Sequence, residues 1–445
     1  MRTVIILLML LPFIATAQDG PNETVATVDK TTALEKKVTE LQEEMRQLRE
    51  QIASQQADAL KSKTTAGDPV VPDLAAAVAA DAQKEAPQNE PASASSGSGW
   101  LSENPDISLV ADGGFGVLWN REDPIEQGGH AIDHQGFALQ GLELVIGHAV
   151  DPYFRFDLNF QFVGMHLEEA YLTSLSLPWN LQVRAGMMSA QMGRENQKCI
   201  HSIDFVNYSL LHTRFMSQEH FSGLGGELSW LAPTPWYLMV IGQVLDTKSS
   251  IGLFNSGTFA PVEFTKNGDY NGLEDFLYLA RVVNFFELAP AWSLNIGLSG
   301  AWGQSRFVPD NRATVYGADI LLKYRDIENG DDSFAWRMDI EAVLRDQQTP
   351  SDFVRDTGFF VGNVFQIDKR WSVAARGEWN DRLHGTADYA PDMQVRGAAN
   401  VTFNPTHFSK FRLEYEITQN GGGQPYHGVF LQAEVVIGSH GAHIF

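Results

Sequence analysis

Between Asp106 and the C-terminus the chain repeats one pattern, about sixteen times over: about ten residues alternating apolar and polar, then a turn. Phe154, Phe156, Leu158, Phe160 and Phe162 form the clearest apolar row, with Arg155, Asp157, Asn159 and Gln161 between them. Trp292, Leu294, Ile296 and Leu298 alternate with Ser293, Asn295, Gly297 and Ser299. Phe334, Trp336, Met338 and Ile340 alternate in the same way with Arg337, Asp339 and Glu341. A period of two predicts strands with one apolar and one polar face. Soluble sandwiches share that period, but seldom this length, this copy number or so many charges on the polar face. A closed barrel in lipid with a watery interior accounts for all three, because closure pairs every backbone group away from water. The expected fold class is therefore an all-β transmembrane barrel of about 16 antiparallel strands. The faces near Leu167 and Phe276 are ambiguous, which leaves fourteen and eighteen strands open.

Connections alternate in length as a barrel requires. Short ones fall at Val150–Pro152, Leu177–Asn180, Ala232–Pro235, Leu288–Pro290 and Ile367–Lys369; long ones at Asn120–Gln135, Ser189–Gly223, Ser249–Glu274 and Asp381–Asp392. The short set is expected on the periplasmic side and the long set outside.

The ends of the chain supply the compartment. Arg2, the apolar run Val4–Ile14 and Ala15-Thr16-Ala17 make residues 1–17 a signal peptide, too short to span a membrane, which takes about 20 apolar residues. A single cysteine, Cys199, excludes an internal disulfide framework. The terminal Phe445, behind the alternating row Val429, Leu431, Ala433, Val435 and Ile437, is similar to the signal read by the bacterial barrel-assembly machinery. That machinery and outer-membrane lipid are the expected partners.

Between leader and barrel lie two segments. In residues 18–56, Leu34, Val38, Leu41, Met45, Leu48 and Ile52 are spaced as a heptad seam with Leu at each d position, which predicts a periplasmic coiled coil. So short a seam is marginal alone, and it implies a homo-oligomer held together elsewhere as well. Its a and d residues lean toward a dimer while porins are usually trimers, so the order stays open. Residues 57–100 are rich in Ala, Pro and Ser and carry no period, the composition of a disordered linker. The barrel takes 101–445.

Net charge is −23, and from Leu101 onward 41 acids stand against 23 bases. That excludes nucleic acid as a natural partner. The polar faces of the strands are nearly balanced, with Arg155, Arg337, Arg376 and Arg412 against Asp157, Asp339, Glu341, Glu378 and Glu414 as expected pore-wall residues. Many of these are expected to pair across neighbouring strands. The acidic excess then sits in loops and rims, where it favours cations at the mouth. In the longest connection, Arg194, Glu195, Lys198, Asp204, Arg214 and Glu219 are the expected pore constriction, a loop folded inward with mixed charges set across the gap. An outer loop packed on a neighbouring subunit is the alternative. His130, His134, Cys199 and His201 have borderline metal-ligand spacing, although no single stretch offers four close ligands. No catalytic constellation stands out (His201-Ser202 is a chance-level pair), so no catalytic residue and no cofactor is expected.

Several stretches carry a family resemblance: Asn104-Pro105-Asp106-Ile107-Ser108, Asp151-Pro152-Tyr153-Phe154-Arg155, Glu168-Glu169-Ala170-Tyr171-Leu172 and Leu228 to Pro235, with the tail His440 to Phe445. They resemble a proteobacterial group of outer-membrane barrels related to the phosphate-selective porin O/P-like porins. Members of that group are often labelled zinc-regulated TonB-dependent receptors. The resemblance implies a porin-type barrel with passive diffusion of small hydrophilic solutes or ions. It does not carry over a phosphate site, since no lysine cluster lines the expected constriction, and residues 19–99 leave no room for a folded plug. A metal (zinc)-related uptake channel and a coiled-coil-tethered structural or adhesin barrel stay open as alternatives.

The division into regions makes a prediction. Leu41→Pro should break the helix locally, at a cost of about 3 kcal/mol or more, and abolish association through the seam. The heat-modifiable band of the folded barrel on gels should survive, and its loss would refute the division.

Overall fold

The computed structural model describes residues 105–120, 130–217, 220–246, 272–304, 312–326, 334–348, 353–381 and 393–438. The leader, heptad segment, linker, Glu219 and the tail with Phe445 lie outside the described residues. Sixteen strands follow in chain order. They are β1 (Asp106–Trp119), β2 (Gly136–Ala149), β3 (Phe154–Gln161), β4 (His166–Ser174), β5 (Leu181–Ser189), β6 (Ser222–Leu231), β7 (Tyr237–Asp246) and β8 (Leu277–Ala289). Then come β9 (Trp292–Gln304), β10 (Arg312–Arg325), β11 (Ala335–Gln348), β12 (Phe353–Gln366), β13 (Trp371–Asn380), β14 (Gln394–Thr406), β15 (Ser409–Asn420) and β16 (Tyr426–Gly438). Each pairs antiparallel with its sequence neighbours, and β1 pairs with β16 from Ser108↔Gly438 to Trp119↔His427, so the sheet closes with no edge. The two ambiguous strands are β4 and β8, and the count of sixteen holds.

Alternation decides the faces. Along β13, Ala375, Gly377 and Trp379 are exposed while Arg376, Glu378 and Asn380 between them are buried. Rows of aromatic rings gird the outer face. Near the short turns Trp236 meets Phe286, Trp292 meets Tyr324 and Trp336, and Trp371 meets Phe403, with ring centroids 4.6 to 6.5 Å apart. At the other end Phe115 packs on Phe137 and Tyr278 on Trp302. An apolar outer band between aromatic girdles is what two lipid interfaces demand. No helix among the described residues is long and apolar enough to cross a membrane.

Part of the inner wall is stiffened by cross-strand ion pairs, as the charge balance implied. Arg184 of β5 grips Glu227 of β6 at 2.6 Å and Arg345 of β11 grips Asp356 of β12 at 2.6 Å. Arg281 of β8 reaches Asp319 of β10 at 2.8 Å, over the intervening β9. Gly297 makes that reach possible, because a Cβ there would meet both the guanidinium and the carboxylate. Arg155–Asp157 and Arg376–Glu378 instead pair along one strand.

A uniformly polar interior is not what forms. Leu245, Leu277, Leu279, Val315, Val343 and Phe360 point inward and pack on Met188, Met192, Phe215, Met216 and Phe221 in a buried cluster. In β7 the inward Ile241 and Leu245 are as apolar as the outward Val240 and Val244, with only Gln243 polar between them, so alternation alone marked the inner face weakly.

The expected sidedness of the short and long connections can be tested. A cysteine placed at Asn255, in the β7–β8 connection, should react with an impermeant thiol reagent on intact cells, and one at Asp151, in the β2–β3 turn, should not. The reverse pattern would invert the barrel.

Candidate functional site

The connection from β5 to β6, residues 190–221, is buried or half-buried throughout its described length. It holds two 3-10 turns, Glu195–Gln197 and Ile200–Ser202, and one short helix, α1 (Leu210–Phe215). Ser209 caps α1, its side chain accepting from the backbone N–H of His212 at 3.0 Å. Gly193, at φ +67°, turns the chain so that the N–H groups of Arg194 and Glu195 both donate to Glu341 of β11, at 2.7 and 2.6 Å. A Cβ at Gly193 would strike that carboxylate. A side chain is excluded there by both conformation and space.

Irregular backbone in a barrel interior has no ladder to satisfy it, and the wall supplies the partners. Glu414 accepts from the N–H of Val206 at 3.0 Å, and Glu378 accepts from that of Leu210. Lys410 donates to the carbonyl of His201 at 2.7 Å, and Arg412 donates to those of Ile203 and Phe205 at 3.0 and 2.8 Å. Arg396 donates to the carbonyl of Tyr208 at 3.0 Å, Asn400 to that of Asp204 at 2.9 Å and Asn380 to that of Leu210 at 2.8 Å. Elsewhere on the wall Gln140 of β2 donates to the carbonyl of Val206 at 3.0 Å and Gln243 of β7 accepts from the N–H of Gln191 at 2.8 Å. The segment thus bridges from β2 and β7 to β11–β15.

Each charged residue of the loop among the described residues finds a partner close by. Lys198 meets Asp339 at 3.1 Å and Arg194 meets the same carboxylate at 3.8 Å. Asp204 pairs with Arg337, and Arg214 meets Asp356 at 3.0 Å. Burial would raise the Asp204 carboxyl, but Arg337, Lys198 and Arg412 outweigh it and bring it down to about 2. Glu195 turns back into the loop onto Ser209. Burial holds its carboxyl above the ordinary range despite Arg376 and Ser209. Burial likewise lowers Arg214, against the pull of Asp356.

This differs from the expected constriction in one respect. Arg194 and Arg214 do not face Glu195 across a gap: Arg194 and Glu195 adjoin on β11, and Arg214 lies against β12. Glu341, Glu378, Arg412 and Glu414 serve the loop backbone as well as lining the wall. Sequence reasoning missed that role, the same role of the inward-facing Arg396, and Lys410, Asn380 and Asn400 altogether, because no local pattern marks a side chain whose partner is a distant carbonyl. A cavity of about 20 Å³ lies between loop and wall, lined among others by Lys198, Asp204, Asp339 and Arg376.

The four residues with metal-ligand spacing separate. His134 is exposed and bonds Asp133 at 2.9 Å. His130, Cys199 and His201 lie buried or half-buried against β2 and β4. They join residues with no spacing signal, Glu143, His166, Glu168 and His220, in three groups whose ligand atoms lie within 4.8 Å of one another.

No protein-family profile matches the chain. A protein of Aquifex aeolicus, known only as uncharacterized, is 26% identical over 385 residues, which covers 77% of this chain and 80% of its own. Solved structures of similar shape include an anion-selective porin from Comamonas acidovorans, 10% identical over 75% of this chain and 99% of that one, with a TM-score of 0.48. The outer membrane channel DcaP of Acinetobacter baumannii is 12% identical over 75% and 96%, with a TM-score of 0.47. OprB of Pseudomonas putida is 10% identical over 75% and 94%, with a TM-score of 0.48. At these values no function carries over from them.

The Asp204–Arg337 contact has a pH signature. The Asp204 carboxyl sits at about 2 in the fold against an ordinary value of 3.8. Its stabilisation is therefore complete above the unfolded value and lost as pH falls through the folded one. Asp204→Asn should lower the heat-modifiability temperature at neutral pH, and the gap to the parent should close as pH approaches 2. A gap independent of pH would contradict this assignment.

Proposed function

We propose that this chain is an outer-membrane, porin-type channel for passive diffusion of small hydrophilic solutes or ions, with residues 190–221 as its constriction and a homo-oligomer as its working form. The apolar outer band between aromatic girdles supports the membrane placement. One observation carries the reading: a loop crosses a charged lumen and is held there by side chains of the wall rather than by strand pairing. Such a loop is a removable obstruction in an otherwise closed tube. It narrows the lumen on the side of β11 to β13, where a cavity of about 20 Å³ remains between loop and wall. The net charge of −23 favours cations over phosphate.

The same filled lumen favours a second reading, in which the barrel anchors the heptad segment and conducts nothing. Planar-bilayer recording separates the two. The parent protein should give small discrete conductance steps, and replacing residues 196–214 by a short Gly-Ser link should raise them several-fold while the folded band persists. The cation preference should fade between about 0.1 and 1 M salt, as the Debye length falls from about 10 to about 3 Å. Silence from both folded proteins would establish the anchor, and anion preference in the parent would overturn the selectivity.

A further inference from the structure

Three imidazoles converge on one buried carboxylate. Nε2 of His166 lies 3.7 Å and Nε2 of His130 4.0 Å from Oε1 of Glu168, while Nε2 of His220 lies 3.9 Å from Oε2. All four residues are at most 4% exposed. Oε2 of Glu168 accepts no hydrogen bond. Those spacings exceed hydrogen-bond length. They approach the separation of ligands around one ion: a tetrahedral centre with bonds of about 2.0–2.2 Å sets its donors about 3.3–3.6 Å apart.

Two irregularities of the sheet build this arrangement. Between β3 and β4, Asn159 faces Glu169 but Phe160 faces Leu167, so Glu168 is an extra residue. The bulge turns Glu168 inward beside Glu169, where a regular strand would send it outward to lipid. Between β1 and β2, Asp112 faces Gly141 but Gly113 faces Leu139, so Gln140 is also extra. The Gln140 carbonyl lies 2.6 Å from Nδ1 of His130, and the Gln140 side-chain amide donates to the His130 carbonyl at 2.9 Å. A carbonyl only accepts, so Nδ1 carries the proton and the lone pair of a neutral ring sits on Nε2, toward Glu168. An imidazole held this way by a backbone carbonyl is in the tautomer and orientation of a metal ligand.

We propose that His130, His166 and Glu168 bind one divalent cation of the zinc class, through two imidazole nitrogens and one carboxylate oxygen, with the fourth position open. Imidazole donors select such ions over calcium and magnesium. The site pins the base of the first long connection to β4, independently of whether the barrel conducts. His220 and Cys199 form a neighbouring group on the same carboxylate, and protonated imidazoles sharing Glu168 without metal are the competing state.

The test uses the full chain, folded in detergent and stripped with a chelator. Cobalt(II) should bind at one equivalent with the visible absorption of a tetrahedral centre, zinc should displace it, and excess calcium should not. His166→Ala should weaken binding by more than about tenfold, since even outer-shell partners of a metal are worth that much. His134→Ala should leave binding unchanged. X-ray absorption at the zinc edge of the parent protein needs no variant to fold, and should show two imidazoles and no sulfur. Absence of stoichiometric cobalt binding by the folded parent, persistence of binding in folded His166→Ala, or a zinc shell of oxygen alone or containing sulfur would overturn the assignment.

Discussion

An irregular stretch of backbone inside a β-barrel must find a partner for every N–H and C=O it buries, and the rest of this molecule is arranged around that requirement. A buried polar group left without a partner costs about 1–3 kcal/mol, and residues 190–221 bury many. The wall answers with carboxylates where the loop presents N–H groups, as at Glu341, Glu378 and Glu414, and with Arg396, Lys410, Arg412, Asn380 and Asn400 where it presents carbonyls. All but the two asparagines are charged, and a charged partner makes the stronger hydrogen bond; they face inward because the outer face belongs to lipid. Lumen composition, loop path and strand faces are therefore one constraint seen from three sides.

That constraint also explains the inner ion pairs. Buried pairs such as Arg396–Glu416 and Lys410–Glu434 add little net stability by themselves, because desolvation offsets attraction. Here each carries a second duty. Arg396 still donates to Tyr208 while it neutralises Glu416, and Lys410 still donates to His201 beside Glu434. Removing one member would leave a buried charge and open a loop carbonyl together.

An approximate strand number and the faces of the well-patterned strands were legible in the sequence, since Phe154 to Phe162 and Trp292 to Leu298 carry an unbroken period of two. The charged residues of the long connection were legible as a set, but their arrangement was not. Asp204 meets Arg337 and Lys198 meets Asp339 over 130 residues or more of chain, and no spacing rule reaches that far. The ambiguity near Leu167 has a definite cause: the bulge at Glu168 shifts the period by one residue, which blurs the alternation. Gln140 does the same in β2. At both of these bulges a side chain or carbonyl is re-aimed into the interior.

The loop's partners also fix an order of assembly. Leu210 and Glu378 are 168 residues apart in sequence, Tyr208 and Arg396 are 188 apart, and His201 and Lys410 are 209 apart. When β5 and β6 first pair, the partners on β13, β14 and β15 are not yet within reach, so the backbone groups they serve stay hydrated. The segment settles only once β13, β14 and β15 have swung round to face it, near the moment that β16 meets β1. Contacts of such long sequence separation form late, since loop closure must come first. The growing sheet therefore passes through an assembly state in which the inside of the tube is still wet, and the interior dries last.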